Sequence, residues 1–432
     1  MKEFLLYNKL AFLPLKVIEV VQNNLLRAHL KYAAAKSPYY KEIFKEKNIN
    51  PAKIKLADLA QLPFTTKNEI STRTKDFYAV KDSDVADIVL SSGTTGLPTK
   101  IIYTAKDLRR LKYNEYKSFI SCGMTKEDTV LLTCTMDRCF IAGLAYYFGV
   151  QAVGAAAIRN GLSSLESHAE MIKRMTPTVI IGVPSFLKKL GLYCREQKIN
   201  TNIINKLICI GEPLRNERMD MLPIGRDLVS VWPLAKLYST YSSSETISTF
   251  CECTQKRGGH LHPDLAIVEI VDNMGNVLPS GAQGEVVITP LAIEGMPLVR
   301  FRTGDISFII EGDCGCGRKS LRLGPILGRK QQMMKIKGTT VYPQAVYTAL
   351  DEVYGVNDYY LEAFSEQDLS DMLIVHVSIK NNTLTAEGIA SALQAKLRVK
   401  PEVVIEEDKI IRDKVYCPSS RKPVHFFDER KP

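Results

Sequence analysis

The feature that most constrains the fold is an alternation of short apolar, β-prone runs with helical stretches. Three of these runs are 129–133, 179–183 and 206–211. Strands that alternate with helices predict a layered α/β domain whose sheet is largely parallel. The chain of 432 residues is too long for one compact core, so two or three domains are expected.

The pattern differs at both ends of this α/β region. Residues 1–80 predict a mainly helical wrapping segment, because apolar side chains recur in four-residue steps over 17–26. Between about 264 and 310 the runs become short strands with turns, which predicts an antiparallel pair in a small barrel-like part. Beyond residue 328, strand-like alternation and a helix over 343–353 predict a final α+β unit.

A loop rich in glycine and hydroxyl side chains follows the apolar run 87–90. Its phosphate-binding candidates are Ser91, Ser92, Gly93, Thr94, Thr95 and Gly96. Glycines let the backbone approach a ligand closely, and backbone N–H groups and hydroxyls suit a polyphosphate. It is not a Walker A loop, because the Gly-Lys-Ser/Thr ending is missing. Taken alone, the string also fits a surface turn.

Further motifs follow this loop in a fixed order. They are Tyr241–Glu245, Arg302–Asp305, Arg329–Gln331 followed by Gly338 and Val341, and Lys422. Together with the loop, they resemble the adenylate-forming acyl-CoA synthetase superfamily, and most closely the phenylacetate-CoA ligase family. Segments 37–40 and 62–67 share the resemblance, which covers nearly the full chain.

The resemblance implies a specific domain organisation. A large N-terminal AMP-binding domain, with layered parallel sheets and a small β-barrel-like part, would span residues 1–328. A small mobile α+β domain would span 329–432 and rotate about a hinge near Gln331 between two reaction steps. Such hinges usually carry an acidic residue or Lys there, so the neutral Gln331 is a departure.

The resemblance also implies the nucleotide-binding residues. Outside the loop they are Gly211, Glu212, Pro213, Tyr241, Ser244, Arg302, Asp305 and Arg329. Tyr241 would lie against the adenine, Ser244 would bond the α-phosphate, and Asp305 would accept both ribose hydroxyls. Glu245 would bind Mg²⁺, a hard cation that prefers oxygen ligands. Read alone, residues 242–245 also fit a helix N-cap and Asp305 a turn.

Lys422 resembles the late catalytic lysine of the family. A mobile ammonium that bridges the substrate carboxylate and the α-phosphate would stabilise the transition state electrostatically. The basic surroundings also fit a solvated lysine, and Arg421 is a competing candidate. The family usually places another Lys at the Gly-x-Pro step of the loop, where this chain has Leu97 and Thr99.

A second group of side chains predicts a metal site. Its members are Cys253, His260, Cys314 and Cys316. Three thiolates and an imidazole suit structural Zn²⁺ in a closed tetrahedral site. Some proteins similar to phenylacetate-CoA ligase have Cys and His at these places, and the Cys-to-His spacing favours Cys253. Cys251 or His262 could replace a ligand, and reduced side chains without a metal are the alternative.

Composition bears on location and partners. Ten cysteines in a long chain whose start does not fit a signal peptide predict a reducing, cytoplasmic compartment. No apolar run reaches the ~18–20 residues of a membrane span. The net charge of +10 is spread along the chain without a nucleic-acid motif, so anionic small molecules or a plain basic surface account for it. Buried thiols are predicted at Cys122, Cys134, Cys139, Cys194 and Cys209.

The segment 136–149 predicts a wall of the acid-binding pocket. The predicted lining residues are Phe140, Ala142, Gly143, Tyr146, Pro184 and Tyr238. Their aromatic rings could stack on an aryl acid such as phenylacetate, or they could be ordinary core packing.

By resemblance, the protein is an ATP-dependent carboxylic acid–CoA ligase. It would form an acyl-adenylate and pyrophosphate, and then an acyl-CoA thioester and AMP. Its partners would be the acid, ATP and CoA, with a homodimer left open. Two alternatives are an adenylating enzyme that passes the acyl group to a carrier protein or other acceptor, and a non-catalytic nucleotide-binding homologue. The departures at Leu97, Thr99 and Gln331 would favour the second.

Overall fold

The computed structural model describes residues 5–91, 99–336, 338–365, 370–380, 384–416 and 423–430. The chain divides into two compact units. The first unit comprises Met1–Met221, Gly225–Thr303 and Ser307–Ile326, and the second comprises Leu222–Ile224, Gly304–Ile306 and Leu327–Pro432.

The helices of the described residues cluster before residue 232 and after residue 342. They are α1 (Leu15–Lys36), α2 (Pro38–Glu46), α3 (Lys67–Thr72), α4 (Ala105–Ser121), α5 (Ile141–Val153), α6 (Leu165–Met175), α7 (Pro184–Glu196), α8 (Pro223–Val231), α9 (Pro343–Asp351), α10 (Ala386–Leu397) and α11 (Asp408–Val415). Within the part of the chain that the structure describes, none of them is both long and apolar enough to cross a membrane.

The strands lie between residues 85 and 428. They are β1 (Val85–Leu90), β2 (Lys100–Thr104), β3 (Thr129–Leu132), β4 (Ala156–Arg159), β5 (Val179–Gly182), β6 (Lys206–Ile210), β7 (Lys236–Ser243), β8 (Ser248–Cys251), β9 (Gly259–His260), β10 (Ala266–Val271), β11 (Gly284–Pro290), β12 (Phe301–Ser307), β13 (Ile309–Ile310), β14 (Arg322–Leu323), β15 (Gly328–Arg329), β16 (Met334–Ile336), β17 (Thr339–Val341), β18 (Val356–Ser365), β19 (Asp371–Ile379), β20 (Glu402–Ile405) and β21 (Phe426–Asp428).

The central sheet of the first unit confirms the predicted α/β layering. Its strand order is β4-β3-β5-β6-β7-β8, and every pair from β4 to β7 is parallel. The strands β5 and β6 are nearly all buried, because a parallel sheet is covered by helices on both faces. One apolar cluster includes Leu187 and Leu228 of α7 and α8, and another includes Phe119 and Tyr146 of α4 and α5.

The predicted antiparallel pair is also confirmed. Ala266 on β10 pairs with Pro290 on β11, and the register continues to Val271 and Glu285. The connecting turn is closed by Asp272, whose Oδ1 accepts hydrogen bonds from two backbone N–H groups. Closure of this region into a barrel-like part stays a prediction.

The N-terminal segment is helical, as its apolar spacing predicts. α1 buries Ile18, Leu26 and Leu30, and Leu26 and Leu30 belong to a core cluster that also contains Phe301. The segment therefore shares one core with the strands of the first unit.

The second unit has its own sheet and its own core. The strand order is β20-β19-β18-β21, and the core contains Val346 of α9, Leu361 of β18 and Leu393 of α10. The helix predicted over 343–353 is found as α9, two residues shorter.

Candidate active site

The two ends of the predicted phosphate loop are fastened to each other. β1 and β2 form an antiparallel pair, and residues 92–98 between them lie outside the described residues. The Ser91 N–H donates to the Thr99 carbonyl at 2.9 Å, and both residues are buried. Ser91 and Thr99 therefore form a closed stem from which the loop extends.

The short helix α3 packs against this stem. Thr66 caps the helix, because its Oγ1 accepts the Glu69 N–H while Glu69 accepts the Thr66 N–H at 2.7 Å. The Ser71 hydroxyl lies 2.8 Å from the Thr99 hydroxyl. This contact fixes α3, which begins with Lys67, beside the stem formed by Ser91 and Thr99.

β7 reaches into the predicted nucleotide-binding motif 241–245. The strand continues to Ser243 and carries Tyr241. It continues because β8 pairs with its last residues, with Tyr241 opposite Phe250. A turn follows instead of a helix, so the helix N-cap interpretation of 242–245 is wrong.

A hydrogen bond ties this turn to the hairpin that carries the loop. The Tyr103 hydroxyl on β2 donates to the Ser244 carbonyl at 2.7 Å, and Tyr103 is fully buried. The tyrosine therefore sets the position of Ser244 and Glu245 relative to the stem.

Glu245 is a buried carboxylate with a cation beside it. Its side chain is 7% exposed, and Lys67 Nζ lies 3.1 Å from its Oε1. Burial acts to raise the pKa of Glu245, but the Lys67 charge, the backbone N–H and the Ser243 hydroxyl outweigh it and hold the pKa below its usual value. The carboxylate is therefore ionised at neutral pH.

The surroundings of Glu245 fit a magnesium ligand. The Ser243 hydroxyl donates to Oε2 at 3.1 Å. Among the described residues, no well-aligned hydrogen-bond donor serves the buried Oε1, even though the Lys67 ammonium is close. A buried, ionised carboxylate suits Mg²⁺, which typically takes one or two carboxylates and several waters.

The predicted nucleotide-binding residues 211–213 are joined to the start of α7. Gly211 has φ of 77°, a left-handed conformation that favours glycine. Both carboxylate oxygens of Glu212 accept hydrogen bonds from Ser185, at 2.9 Å from its N–H and 2.7 Å from its hydroxyl. Glu212 thus holds residues 211–213 against Pro184. Contact of Gly211, Glu212 and Pro213 with the nucleotide stays a prediction.

Asp305 and Arg329 lie together in the second unit. They are paired residues of β12 and β15, and Arg329 Nε lies 3.2 Å from Asp305 Oδ1. Because Asp305 lies inside a strand, the turn interpretation is wrong. Their ribose and nucleotide contacts stay predictions.

Arg302, in the first unit, has other partners. Its Nε donates to Glu285 Oε2 at 3.0 Å, and its guanidinium lies 4.9 Å from the centre of the Phe64 ring. These contacts show a structural role for the side chain, and its predicted contact with nucleotide remains a prediction.

The predicted pocket residues fall into two groups. Gly143, Tyr146, Pro184 and Tyr238 are buried, whereas Phe140 and Ala142 are partly exposed. Tyr146 and Tyr238 share one apolar cluster, which supports core packing for those two rings. A Cβ on Gly143 would come 2.1 Å from the Thr135 carbonyl oxygen, so only glycine lets α5 approach that backbone.

The four predicted metal ligands converge. Their ligand atoms all lie within 4.8 Å of one another. Cys253 Sγ is 3.5 Å from Cys314 Sγ, and Cys316 Sγ is 3.3 Å from His260 Nε2. Tetrahedral zinc with sulfur at about 2.3 Å would separate two sulfurs by about 3.8 Å. The donor set and its spacing therefore fit structural Zn²⁺.

The shell around the cluster supports this fit. His260 Nδ1 lies 3.2 Å from the Ser320 hydroxyl, which leaves Nε2 for the cluster. Burial, assisted by the Arg318 and Arg322 charges, lowers the pKa of His260 to about 3, so the imidazole is neutral, as a metal ligand must be.

Two alternative ligands point elsewhere. The sulfur of Cys251 accepts a hydrogen bond from the Thr240 hydroxyl, and His262 Nε2 lies 3.2 Å from the Ser118 hydroxyl. Neither residue belongs to the converging group.

One cysteine differs from its prediction. Cys122, Cys134, Cys194 and Cys209 are buried, as predicted, but Cys139 is exposed. The prediction of a buried Cys139 is therefore wrong. Arg138 and Cys139 both have left-handed backbone conformations, and this turn places the thiol at the surface although Phe140 and Ile141, which follow it, are apolar.

Lys422 and Arg421 lie outside the described residues, so the catalytic role stays a prediction. The chain is anchored just beyond them, since the Val424 N–H donates to the Val415 carbonyl at 2.9 Å. β21 then pairs in parallel with β18.

Two residues of the site were not singled out from the sequence. Lys67 lies in the segment 62–67, whose family resemblance was a usable signal, but no role followed from it. Tyr103 carries no signal, because one tyrosine in an apolar strand is typical of any β-sheet.

Comparison with known proteins identifies the family. The sequence model of the AMP-binding enzyme family matches residues 19–291. A phenylacetate-coenzyme A ligase from Thermus thermophilus is 30% identical over 356 residues, which cover 80% of this chain and 78% of that protein. A phenylacetate-coenzyme A ligase from Escherichia coli is 25% identical over 426 residues, or 96% and 95% of the two chains.

A solved structure shares the fold. The crystal structure of 2-hydroxyisobutyryl-CoA ligase in the postadenylation state matches with a TM-score of 0.81 and 20% identity, over 96% of this chain and 89% of that one. The chain therefore belongs to the AMP-binding enzyme family, as a member of the phenylacetate-coenzyme A ligase family of AMP-forming acid–thiol ligases.

Proposed function

We propose that the protein joins a carboxylic acid to CoA in two steps at the expense of ATP. An oxygen of the acid attacks the α-phosphorus, the bond to the β-phosphate oxygen breaks, and pyrophosphate leaves. The CoA thiol then attacks the acyl carbonyl, its proton is lost to solvent, and AMP departs. The buried, ionised Glu245 beside the stem of the phosphate loop is the observation that carries this proposal.

Several residues of the chain would bind or position ATP and the acid in the first step, the formation of the acyl-adenylate. The loop 91–96 would bind the β- and γ-phosphates, and Ser244, held by Tyr103, would bond the α-phosphate. Lys422 would bridge the attacking carboxylate and the α-phosphate, where charge develops. Glu245 would hold Mg²⁺, which would neutralise part of the negative charge of the phosphates.

The remaining nucleotide contacts are part of the same proposal. Tyr241 would lie against the adenine, and Asp305 would accept the ribose hydroxyls. The Arg329 guanidinium lies close to Asp305, and this ion pair would hold the carboxylate in position for the two hydroxyls. The domain boundary between residues 328 and 329 also belongs to the proposal.

We assign an aryl acid, such as phenylacetate, as the substrate. The support is the name shared by the relatives from Thermus thermophilus, Pseudomonas putida and Escherichia coli. Phe140, Ala142 and Gly143 would line the pocket at the start of α5. Phe140 is partly exposed whereas Tyr146 and Tyr238 are buried in an apolar cluster, so we assign the aromatic contact with the acid to Phe140.

Zinc bound by Cys253, His260, Cys314 and Cys316 would be structural. Because its four ligands leave no open coordination position, the ion would take no part in the chemistry. It would hold β9 and the segment 314–320 together. The nine cysteines of the described residues are free thiols, which supports a reducing compartment such as the cytoplasm.

Pyrophosphate release tests the function. Wild-type protein and Lys422→Ala would be assayed with ATP, Mg²⁺ and a panel of aryl and short-chain acids, with and without CoA. We expect release that depends on an aryl acid and falls by about 10²–10³ in the variant. CoA-dependent AMP formation would identify the acceptor.

Three outcomes would change the assignment. Release without CoA-dependent AMP formation would favour a carrier protein or another acceptor. Absence of release with every acid, together with tight nucleotide binding, would favour a non-catalytic homologue. Full activity of Lys422→Ala would remove Lys422 from the catalytic residues.

A further inference from the structure

The start of the first unit presents an apolar surface to solvent. Six large apolar side chains there are exposed, namely Leu6, Phe12, Leu13, Leu15, Val17 and Val20. Leu6 is 84% exposed and Val20 is 61% exposed. Single exposed apolar side chains are normal on a protein surface, but a concentration within fifteen consecutive residues marks a binding surface. We call these six side chains the N-terminal apolar surface.

The segment that carries this surface is fixed to the first unit. The Ala11 carbonyl accepts a hydrogen bond from the Lys319 N–H at 2.7 Å. The Arg318 guanidinium lies 4.7 Å from the centre of the Phe12 ring, and Leu10 is buried. The apolar side chains are therefore exposed although the backbone beneath them is held in place.

The exposed face of α1 changes from apolar to basic along the helix. Val17 and Val20 lie on this face, and Asn24, Ala28 and Lys31 continue it in steps of three or four residues. All five side chains are exposed. A rise of 1.5 Å per residue places Lys31 about 16 Å beyond Val20 along the helix axis. One exposed face of the helix thus has an apolar end and a basic end.

Lysine and arginine occur along the whole chain, but their excess over acidic residues is concentrated near its start. Residues 5–55 hold ten basic and three acidic side chains, so they carry +7 of the net charge of +10. The seven lysines of residues 31–55 are exposed, and within the described part of the chain none of them forms an ion pair. Glu42, one of the three acids, is paired with Arg73 at 2.7 Å. The positive charge is therefore available to a partner.

The combination of apolar and basic groups favours an anionic membrane over a second copy of the chain. In a symmetric dimer the same surface meets itself, so Lys9 and Lys16, which are exposed among the apolar side chains, would approach lysines of the other copy. Lysine is also depleted in protein–protein interfaces. On an anionic bilayer the same lysines contact lipid headgroups, and the apolar side chains enter the boundary of the acyl chains.

We propose that the first unit binds the surface of a membrane rich in anionic phospholipid, through the N-terminal apolar surface and the lysines of residues 31–55. The apolar side chains enter the headgroup boundary, and the lysines contact the lipid phosphates. Such attachment is peripheral and reversible, because a few inserted side chains and a basic segment bind far more weakly than a membrane-spanning helix. The inference does not depend on the proposed function, since none of these residues belongs to the predicted ATP site.

Sedimentation with lipid vesicles tests the proposal. Vesicles of phosphatidylcholine and phosphatidylglycerol in equal parts would be compared with vesicles of phosphatidylcholine alone. The protein should bind the anionic vesicles at least about tenfold more tightly, because each lysine near an anionic surface contributes roughly a fivefold factor. Added salt should reduce this preference, because it screens the charges.

A pair of apolar substitutions tests the role of the N-terminal apolar surface. Leu6→Ser combined with Val20→Ser should weaken binding to the anionic vesicles by about tenfold or more. Leu162→Ser combined with Leu234→Ser changes two leucines that are 55% and 60% exposed elsewhere in the first unit, and this control should bind as wild type does. Thermal unfolding shows whether each variant is folded.

A pair of charge substitutions tests the role of the lysines. Lys31→Gln combined with Lys36→Gln removes two exposed charges from α1 and should also weaken binding by about tenfold or more. Lys173→Gln combined with Lys198→Gln removes two exposed lysines outside residues 5–55 and should leave binding unchanged.

Three outcomes would overturn the proposal. The first is equal binding of wild-type protein to both kinds of vesicle, or binding to neither. The second is vesicle binding that the lysine pair weakens and the Leu6 and Val20 pair does not, because the apolar surface would then have no part in it. The third is a dimer in sedimentation velocity that the Leu6 and Val20 pair abolishes while vesicles are not bound, which would assign the surface to a second copy of the chain.

Discussion

Replacing Glu115 with glutamine should make the protein less sensitive to pH. Glu115 lies on α4, is 1% exposed, and packs where α5 comes close, since a Cβ on Gly149 would lie 2.5 Å from its Cβ. Burial raises its pKa to about 7, although hydrogen bonds from Thr249 and Asn114 act in the opposite direction. Its Oε2 has no hydrogen-bond partner among the described residues, so no donor there stabilises the negative charge of the ionised form.

The sign of the effect follows from proton linkage. Between the ordinary pKa of 4.5 and about 7, the folded state binds the proton and the unfolded state does not, so stability falls as pH rises. The full difference corresponds to about 3.4 kcal/mol, of which about 2.5 kcal/mol develops between about pH 5 and about pH 8. Glutamine does not titrate, so Glu115→Gln should escape this loss.

Thermal unfolding at several pH values measures the effect. For a unit of roughly 320 residues, an unfolding entropy of about 2.1 cal/mol/K per residue converts 2.5 kcal/mol into about 4 °C. The Tm of Glu115→Gln should therefore rise relative to wild type by about 4 °C between about pH 5 and about pH 8.

A matched surface variant serves as the control. Glu127→Gln, at a side chain that is 70% exposed, should show no change of this kind. A Tm difference between Glu115→Gln and wild type that stays constant with pH would refute the reasoning, because it would mean that Glu115 keeps one protonation state throughout.

Three further predictions concern the metal cluster, the pocket and the nucleotide turn. Cys314→Ser should reduce bound zinc, measured by mass spectrometry, from about one per chain to near zero, whereas Cys251→Ser should retain it. Gly143→Ala should lower the free energy of unfolding by about 1–3 kcal/mol, as measured by urea denaturation, because its Cβ would meet a carbonyl oxygen; unchanged stability would contradict this. Tyr103→Phe leaves the Ser244 carbonyl without its donor and should raise KM for ATP severalfold in the pyrophosphate assay; an unchanged KM would show that the turn is fixed by other contacts.

Much of the fold could be predicted from local sequence. Continuous apolar runs identified β3, β5 and β6, and the turn after Val271 identified the hairpin of β10 and β11. Such patterns are short-range, because burial on one or both faces of an element dictates its residues directly. The order of the motifs likewise predicted the family, and the family match confirms that prediction.

The end of β7 is a feature that the local sequence predicts incorrectly. Residues 242–245 satisfy the rules for a helix N-cap, yet Ser242 and Ser243 end a strand because β8, a separate segment, pairs with them, and a turn follows. Cys139 is a second case, since the apolar residues that follow it favour burial and a left-handed turn exposes it.

The sequence by itself determined the alternation of strands and helices and the family, because both depend on residue types at fixed spacing. It also predicted Cys253, His260, Cys314 and Cys316 as metal ligands, but only the structure separated them from Cys251 and His262. Only the tertiary structure placed Lys67 beside Glu245, Tyr103 against Ser244, and Glu212 on Ser185. These pairs are 27 to 178 positions apart in the chain. Their contacts depend on how the hairpin, α3 and the central sheet pack together, and no local pattern of residues encodes that packing.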